Sequence, residues 1–159
     1  MIRVLITGAN GFIARALRKK LLHKGYDVWG IARKEDKKNQ IIGADLLNLD
    51  SMLRIHEKIP KCNTLIHAAA LAHGQSLSKG ETVISTNLGI TKNVIKIFND
   101  VNHCIFFSSV AVYGEDKRYN LISPNDETRP ATDYGKSKLL CEKIILTSGF
   151  KHLSVIRLC

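Results

Sequence analysis

The stretch VLITGANGFIARAL, residues 4–17, joins a short apolar strand to an apolar-periodic helix through two glycines. Gly8 directly follows the predicted strand 4–7, and Gly11 lies three residues further on. A glycine after a strand permits a tight turn, and a second one lets the backbone approach a phosphate closely. The helix that follows would present free N–H groups and the positive end of its dipole. The stretch therefore predicts a phosphate-binding turn of the dinucleotide-binding kind.

The glycine spacing departs from the common G-x-G-x-x-G pattern, because Ala14 stands at the third position. That position serves close packing of the helix on the strand, where alanine also fits. The spacing G-x-x-x-x-G-K-[ST] occurs nowhere in the chain, which excludes an ATPase P-loop.

Strand-like and helix-like patterns alternate along the 159 residues. The predicted strands are 4–7, 27–32, 40–42, 64–68, 104–108 and 153–158, and the predicted helices are 12–24, 50–59, 80–99 and 132–148. Such alternation with short connections predicts parallel strands and right-handed crossovers. We expect one α/β domain over residues 1–159, a doubly wound, Rossmann-like sheet with helices on both faces. The long irregular stretch 114–132 is typical of a functional loop.

Composition limits the partners and the compartment. Lys and Arg number 24 against 14 Asp and Glu, a formal net charge of +10. These basic residues are scattered without interleaved aromatics, so we interpret them as solvated helix faces and expect no nucleic-acid partner. No apolar run approaches the roughly 20 residues of a membrane span, and no secretory signal is recognisable. We expect a cytoplasmic protein without a membrane partner.

The four cysteines, Cys62, Cys104, Cys141 and Cys159, are far apart in the chain. They form no C-x-x-C pair, and no histidines accompany them at zinc spacing. We expect reduced thiols and no metal site.

The end of the second predicted strand bears on the choice of cofactor. A carboxylate at this point binds the ribose of NAD, whereas a nearby arginine accommodates the 2′-phosphate of NADP. The strand ends at Ala32 and is followed by Arg33 and Lys34, with no carboxylate at its tip. The cofactor is thus NAD or NADP, with NADP favoured. The alternative is that Arg33 is an ordinary solvated residue.

Tyr134 and Lys138 lie four residues apart on a predicted helix and therefore share one face. A nearby ammonium and a cationic nicotinamide would lower the pKa of the tyrosine. A tyrosine so tuned can accept a proton from a substrate hydroxyl. Ser108 and Ser109 end a predicted strand, where the ligand crevice of a doubly wound sheet lies. Such a serine could hydrogen-bond the reacting oxygen, or merely cap the strand end.

These stretches together resemble a known family. TGANGFIA at 7–14, ADL at 44–46, LIHAAA at 65–70, STNLGITKNV at 85–94, SSVAVYG at 108–114 and YGKSK at 134–138 occur in that order. The chain is similar to extended short-chain dehydrogenases/reductases of the nucleotide-sugar epimerase/dehydratase type. The resemblance implies a catalytic set of Ser109, Tyr134 and Lys138 and a nucleotide-sugar substrate.

The resemblance also implies where the cofactor binds. Asp45 and Leu46 are expected beside the adenine, Ala68 to Ala70 along the cofactor, and Asn87 as a buttress of the site. With the glycine turn, the expected cofactor-binding residues are Gly8, Asn10, Gly11, Phe12, Ile13, Arg33, Asp45, Leu46, Ala68, Ala69, Ala70, Asn87, Tyr134 and Lys138.

Enzymes of this type continue, after the strand that matches 154–158, into a smaller carboxyl-terminal domain that grips the nucleotide sugar. We therefore expect this chain to correspond to the cofactor-binding half alone, with little turnover by itself. The resemblance further implies that helices 80–99 and 132–148 can pair in a homodimer.

Several functions remain open from the sequence. Dehydratases of this type usually have a carboxylate beside the serine, and Val110 and Ala111 supply none, which favours an epimerase. An NADP-dependent reductase of a keto sugar or another carbonyl is the close alternative. A non-catalytic NAD(P)-binding regulatory module is an alternative of a different class, and a nucleic-acid binder ranks last.

Overall fold

The computed structural model describes residues 1–72, 82–114 and 122–159. Its strands and helices follow the predicted alternation. In chain order they are β1 (Arg3–Thr7), α1 (Phe12–His23), β2 (Asp27–Ala32), β3 (Ile41–Gly43), α2 (Leu49–His56), β4 (Thr64–His67), α3 (Val83–Ile97), β5 (His103–Ser109), α4 (Asp133–Leu146) and β6 (His152–Leu158). Short 3-10 turns occupy Lys37–Asn39 and Val110–Tyr113.

The six strands form one sheet in the order β3-β2-β1-β4-β5-β6, and every neighbouring pair is parallel. Between β1 and β4 the strand order changes direction, which is the topological switch point where doubly wound sheets bind ligands. The predicted Rossmann-like α/β fold is confirmed.

Two apolar layers cover the sheet. On one face, Leu5, Leu65 and Phe106 join residues of α2, α3 and α4 in the larger core cluster. On the other face, Val4, Ile6 and Ile66 pack with Ala14 and with other apolar residues of α1. Both faces of a parallel sheet are buried in this way, which explains why its strands read as continuous apolar runs.

Element boundaries differ from the predictions by a few residues. Strand β3 begins at Ile41 because Gln40 adopts a left-handed conformation, φ +52°, at the end of a 3-10 turn. Helix α2 begins at Leu49 because Asn48 caps it, its Oδ1 accepting from the Ser51 N–H at 2.9 Å.

Helix α3 begins at Val83 behind a capping box in which Thr82 and Ser85 hydrogen-bond reciprocally. Residues 80 and 81 of the predicted helix lie outside the described residues, as do 115–121 of the predicted loop 114–132. Among the described residues no helix is both long and apolar enough to cross a bilayer.

Candidate functional site

The glycine turn between β1 and α1 is held by close backbone contacts. Gly8 has φ +69°, and a side-chain carbon there would lie 2.8 Å from the Cα of Ala69. The Gly11 N–H donates to the Gly8 carbonyl at 2.8 Å, and the Ala9 N–H donates to the Ile31 carbonyl at 3.0 Å. The turn therefore needs glycine at position 8 for two reasons, a left-handed backbone and the neighbouring end of β4.

The N-terminus of α1 is open to a ligand. Gly11 is its N-cap, and within the described residues no side chain caps the helix. Ala14 is buried against the sheet, as predicted for the third position of the turn, whereas Phe12 is 86% exposed and Ile13 is also exposed. Uncapped first-turn N–H groups at a helix N-terminus can bind an anion.

The other end of the turn meets the segment after β2. Asn10 donates through Nδ2 to the Lys34 carbonyl at 3.3 Å. Arg33 is exposed there. The Asp36 carboxylate accepts from the Asn39 backbone N–H and side-chain amide, and these hydrogen bonds hold the pKa of Asp36 below its usual range. Asp36 is thus engaged within its own turn.

The segment after β4 is anchored by α3. Asn87 is buried, and its Oδ1 accepts from the Leu71 N–H at 2.6 Å. Its Nδ2 donates to the Leu71 carbonyl at 3.1 Å and to the Ser137 Oγ at 2.8 Å. The predicted cofactor-lining residues Ala68, Ala69 and Ala70 precede Leu71, so Asn87 fixes their path and ties it to α4. Its role as a buttress of the site stays a prediction.

A chain of buried hydrogen bonds runs from the glycine turn to α4. The Ala69 N–H donates to Thr7 Oγ1 at 3.3 Å, and Thr7 Oγ1 lies 2.7 Å from His67 Nδ1. His67 Nε2 lies 3.1 Å from Thr91 Oγ1, which donates to Cys141 Sγ at 3.2 Å. The Thr91 hydroxyl uses its only hydrogen to donate to Cys141 Sγ, so it must accept from His67 Nε2–H. His67 Nδ1 then carries no proton and accepts from the Thr7 hydroxyl.

His67 is therefore a neutral imidazole with both nitrogens engaged. It is fully buried, and burial, together with the nearby Lys138 ammonium, lowers the pKa of His67 to about 3. The imidazole acts here as a fixed hydrogen-bonding link between β1 and α3.

Helix α4 begins against the turn that follows β5. Thr132 caps it, its Oγ1 accepting from the Gly135 N–H at 3.1 Å. A side-chain carbon at Gly135 would overlap the carbonyl oxygen of Ala111. This close approach puts Tyr134, on the first turn of α4, next to the segment that begins with Ser109.

Lys138 lies one helical turn beyond Tyr134 and is 3% exposed. Its Nζ lies 4.4 Å from the centroid of the Phe106 ring. Burial lowers the pKa of Lys138 to about 8, although the nearby Cys141 and Glu142 oppose the shift. Burial also raises the pKa of Tyr134. The expected lowering of the Tyr134 pKa by Lys138 is therefore not found in the chain by itself, where burial raises this pKa.

The two serines at the end of β5 have different environments. Ser108 is buried and donates to the Glu142 carboxylate. Ser109 is half-buried, and its Oγ accepts from the Ala111 N–H at 3.2 Å as the cap of the 3-10 turn. Ser108 is therefore engaged in the core, whereas the catalytic role of the more accessible Ser109 stays a prediction.

Arg157 on β6 holds this region together. Its Nε and Nη2 donate to the two carboxylate oxygens of Glu142 at 3.0 and 2.8 Å. Its Nη1 donates to the Tyr113 hydroxyl at 2.5 Å and to the Pro124 carbonyl at 3.0 Å. One guanidinium thus joins α4, the 3-10 turn and the segment at Pro124.

The predicted site residues gather at the carboxyl-terminal edge of the sheet, although on different elements. Gly8, Asn10, Gly11, Phe12 and Ile13 form the turn and the start of α1, Arg33 follows β2, Asp45 and Leu46 follow β3, Ala68 to Ala70 follow β4, and Ser109, Tyr134 and Lys138 belong to β5 and α4. Their individual roles stay predictions. No group of three or more His, Cys, Asp or Glu side chains within the described ranges could hold a metal ion.

Sequence reasoning missed four supporting residues: His67, Asn93, Glu142 and Arg157. Glu142 follows Lys138 by four residues, so helical spacing places both on one face and could have indicated it. His67 lies within the LIHAAA stretch beside the predicted lining residues. Asn93 and Arg157 carry no local pattern that would have revealed their partners.

The chain is similar to known proteins over almost its whole length. A family model described as "NAD dependent epimerase/dehydratase family" matches residues 4–158. The UDP-glucose 4-epimerase of Schizosaccharomyces pombe is 30% identical over 162 residues, covering 89% of this chain and 45% of that protein. The UDP-glucose 4-epimerase of Streptomyces lividans is 24% identical over 160 residues, covering 94% of this chain and 48% of that protein.

Among solved structures, the UDP-glucose 4-epimerase of Bifidobacterium longum in complex with NAD+ and UDP superposes with a TM-score of 0.81 at 28% identity. The match covers 98% of this chain and 52% of that one. The ADP-L-glycero-D-manno-heptose-6-epimerase of Helicobacter pylori gives a TM-score of 0.77 at 25% identity, covering 98% and 54%. The chain spans about half the length of these relatives.

Proposed function

Since the chain belongs to the NAD dependent epimerase/dehydratase family, we propose that it forms the cofactor-binding half of an NAD(P)-dependent nucleotide-sugar epimerase. The observation that carries the proposal is the buried ammonium of Lys138, one helical turn from Tyr134 on the face next to β5. A buried charge without function is expensive to keep. Here it lies at the same sheet edge as a glycine turn with an uncapped helix N-terminus.

The residues present fit a dinucleotide. The α1 N–H groups and the close-packed Gly8–Gly11 turn suit a pyrophosphate, and the exposed Phe12 and Ile13 suit an apolar cover. In this proposal Asp45 and Leu46 hold the adenine side, and Ala68 to Ala70 line the middle of the cofactor.

A bound nicotinamide would supply the hydride acceptor for oxidation of a sugar carbon and the hydride donor for its reduction. Tyr134 Oη accepts the proton of the sugar hydroxyl as the carbon is oxidised, and gives it back when the hydride returns. The Ser109 hydroxyl donates a hydrogen bond to the reacting oxygen. Epimerisation would need reduction on the opposite face of that carbon, so the sugar would have to turn between oxidation and reduction.

Lys138 has two tasks in this scheme. Its ammonium binds ribose hydroxyls, and its charge favours the phenolate of Tyr134 over the phenol. Because burial alone raises the pKa of Tyr134, the tyrosine becomes a base only when positive charge accumulates beside it. The buried ammonium, over the Phe106 ring, supplies the part of that charge that the chain itself provides.

The choice between NAD and NADP follows from the end of β2. The family description and the Bifidobacterium longum structure name NAD. In this chain no carboxylate stands at the strand tip, Asp36 is engaged with Asn39, and Arg33 is exposed. These features favour NADP.

Ala32→Asp combined with Arg33→Asp should weaken NADP binding and strengthen NAD binding, as measured by calorimetric titration. Equal changes in the affinities for the two cofactors would show that Arg33 is an ordinary surface residue.

The first experiment is titration of the 159-residue chain with NAD, NADH, NADP and NADPH. We expect binding of at least one pair, because the glycine turn lies entirely within the chain. If none of these ligands at millimolar concentration gives heat or a fluorescence change, the chain does not bind the dinucleotide and the proposal is wrong.

The second experiment assays the product of the complete open reading frame on UDP-, GDP- and dTDP-sugars. Tyr134→Phe keeps the ring and removes the proton acceptor, so turnover should fall roughly 10²–10⁴-fold while cofactor binding survives. Retention of wild-type turnover by this variant would favour a non-catalytic NAD(P)-binding module. Net reduction of a keto sugar without epimerisation would favour a reductase.

Assembly and location belong to the same proposal. A homodimer through α3 and α4 and a cytoplasmic location would suit such an enzyme. Light scattering of the purified chain tests the first, and a monomer at all concentrations would contradict it for this chain.

A further inference from the structure

Asn93 lies on α3, and its side-chain amide reaches the segment that follows β3. Its Nδ2 donates to two consecutive backbone carbonyls, those of Leu46 at 3.0 Å and Leu47 at 2.9 Å. An amide group carries two N–H hydrogens, so both bonds form at once. The reverse orientation would set the amide oxygen against two carbonyl oxygens, which fixes the side chain in this one arrangement.

The same helix also approaches this segment through Gly89. A side-chain carbon at Gly89 would lie 2.9 Å from Leu47 Cδ2. Gly89 precedes Asn93 by four residues, so the two positions share one face of α3. Two independent features, a close approach and a pair of hydrogen bonds, thus hold the segment after β3 against the helix.

The segment also holds its own turn. The Asp45 Oδ1 accepts from the Leu47 N–H at 3.0 Å, and the Asp45 N–H donates to Ser51 Oγ at 3.3 Å. Within the described part of the chain, Asp45 Oδ2 and the Leu46 N–H have no hydrogen-bond partner. A free acceptor beside a free donor complements the edge of adenine, which offers an amino donor beside ring-nitrogen acceptors.

We infer that Asn93 is a positioning residue for the adenosine half of the dinucleotide, acting by holding Asp45 and Leu46 in place without touching the ligand. The inference rests on the proposed function, because it presupposes that a dinucleotide binds at this sheet edge. With both carbonyls satisfied by α3, the segment reaches the ligand already ordered, and the ordering entropy is not lost on binding.

The test compares ADP, which carries only the adenosine half, with NAD, in calorimetric titrations of the 159-residue chain. Asn93→Asp removes both donors and sets a carboxylate against the two carbonyls. We expect it to weaken ADP and NAD by the same factor, about tenfold, because binding must then order a segment that two hydrogen bonds no longer hold in place. Lys138→Met should show the opposite pattern, weakening NAD and leaving ADP unchanged, because its proposed partner is the nicotinamide ribose.

Two controls separate positioning from general destabilisation. Asn99→Asp makes the same chemical change at an exposed position just after α3 and should alter neither affinity. Asn93→Leu is near in size, carries no charge and should give the same pattern as Asn93→Asp; it replaces that variant if the thermal unfolding midpoint shows loss of the fold.

The outcomes are distinct. Wild-type ADP affinity in both Asn93 variants, or a loss for NAD alone, would overturn the role of Asn93 and leave the proposed function standing. Failure of the wild-type chain to bind ADP, NAD or NADP would overturn the proposed function, and the inference with it.

Discussion

The ammonium of Lys138 lies 4.4 Å from the centroid of the Phe106 ring, in the apolar layer between β5 and α4. Phe107, the next residue, packs on the opposite face of the sheet, in the apolar layer that includes residues of α1. One phenylalanine of the pair therefore stabilises a buried cation through its π face, and its neighbour fills apolar space alone.

Phe106→Leu should lower the pKa of Lys138 further below its present value of about 8, by on the order of one unit. The ammonium form loses a favourable contact, so the group releases its proton at lower pH. Binding of NADH, followed by fluorescence between pH 6 and 9, should then weaken at lower pH than in the wild type. Phe107→Leu is the matched control, and equal profiles for the two variants would contradict a role for the ring.

His67 predicts an acid-dependent loss of stability. Its pKa is about 3 in the folded chain and about 6.5 when unfolded, so below pH 6.5 only the unfolded state takes up the proton. Stability is therefore lost as the pH falls from 6.5 towards 3, by about 1.4 kcal/mol per unit. Urea unfolding at pH 7 and pH 5 should show a loss about 2 kcal/mol larger in the wild type than in His67→Gln. His152→Gln, at an exposed histidine, should behave as the wild type; parallel losses in all three would refute the assignment.

The ion pair between Glu142 and Arg157 should contribute strongly through its burial. The Glu142 side chain is 4% exposed, so Glu142→Gln leaves a largely buried guanidinium without its counter-charge, at a cost of about 3 kcal/mol in unfolding free energy. Replacing both residues by leucine should recover part of that loss. Glu127→Gln breaks an ion pair with Arg129 whose two side chains are 71–72% exposed, and should leave the urea midpoint unchanged. Similar effects at the two glutamates would contradict the argument from burial.

Gly8 and Gly25 separate backbone strain from steric overlap. Both have a positive φ, but a side-chain carbon at Gly25 meets nothing within 4 Å among the described residues, whereas at Gly8 it would lie 2.8 Å from Ala69. Alanine at position 25 should cost about 1–2 kcal/mol from the left-handed backbone alone. Alanine at position 8 should cost more and also weaken dinucleotide binding, because the turn must move. Thermal unfolding measures the loss of stability in each variant, and calorimetry measures its dinucleotide affinity. Equal losses at positions 8 and 25 would show that the overlap with Ala69 is relieved at no cost.

The sequence was sufficient for features that depend on local spacing. The glycine turn follows from residues 4–17 alone, and the shared face of Tyr134 and Lys138 follows from helical periodicity. The alternation of elements predicted the parallel sheet, which the strand order confirms. The preference for Ser109 over Ser108 came from the resemblance, although the period of two in β5 already places Ser108 on the buried face with Phe106.

Features that depend on distant partners could not be predicted in this way. Asn93 donates hydrogen bonds to Leu47 and Leu46, which lie 46 and 47 positions earlier in the chain. Arg157 reaches Tyr113, which lies 44 positions earlier. Only the packed sheet brings such residues together. The rise in the Tyr134 pKa was missed for a similar reason, because burial depends on the surrounding fold and not on the spacing to Lys138.

The contact of Gly135 with the Ala111 carbonyl has a practical consequence for engineering. The start of α4 is located by backbone meeting backbone, so its offset from the turn after β5 does not depend on how core side chains are packed. Libraries that vary the apolar residues of α4 should therefore retain the placement of Tyr134. Conversely, the choice of neighbouring side chains cannot relieve an overlap with the Ala111 backbone, which makes Gly135 a position to leave untouched in any redesign of α4.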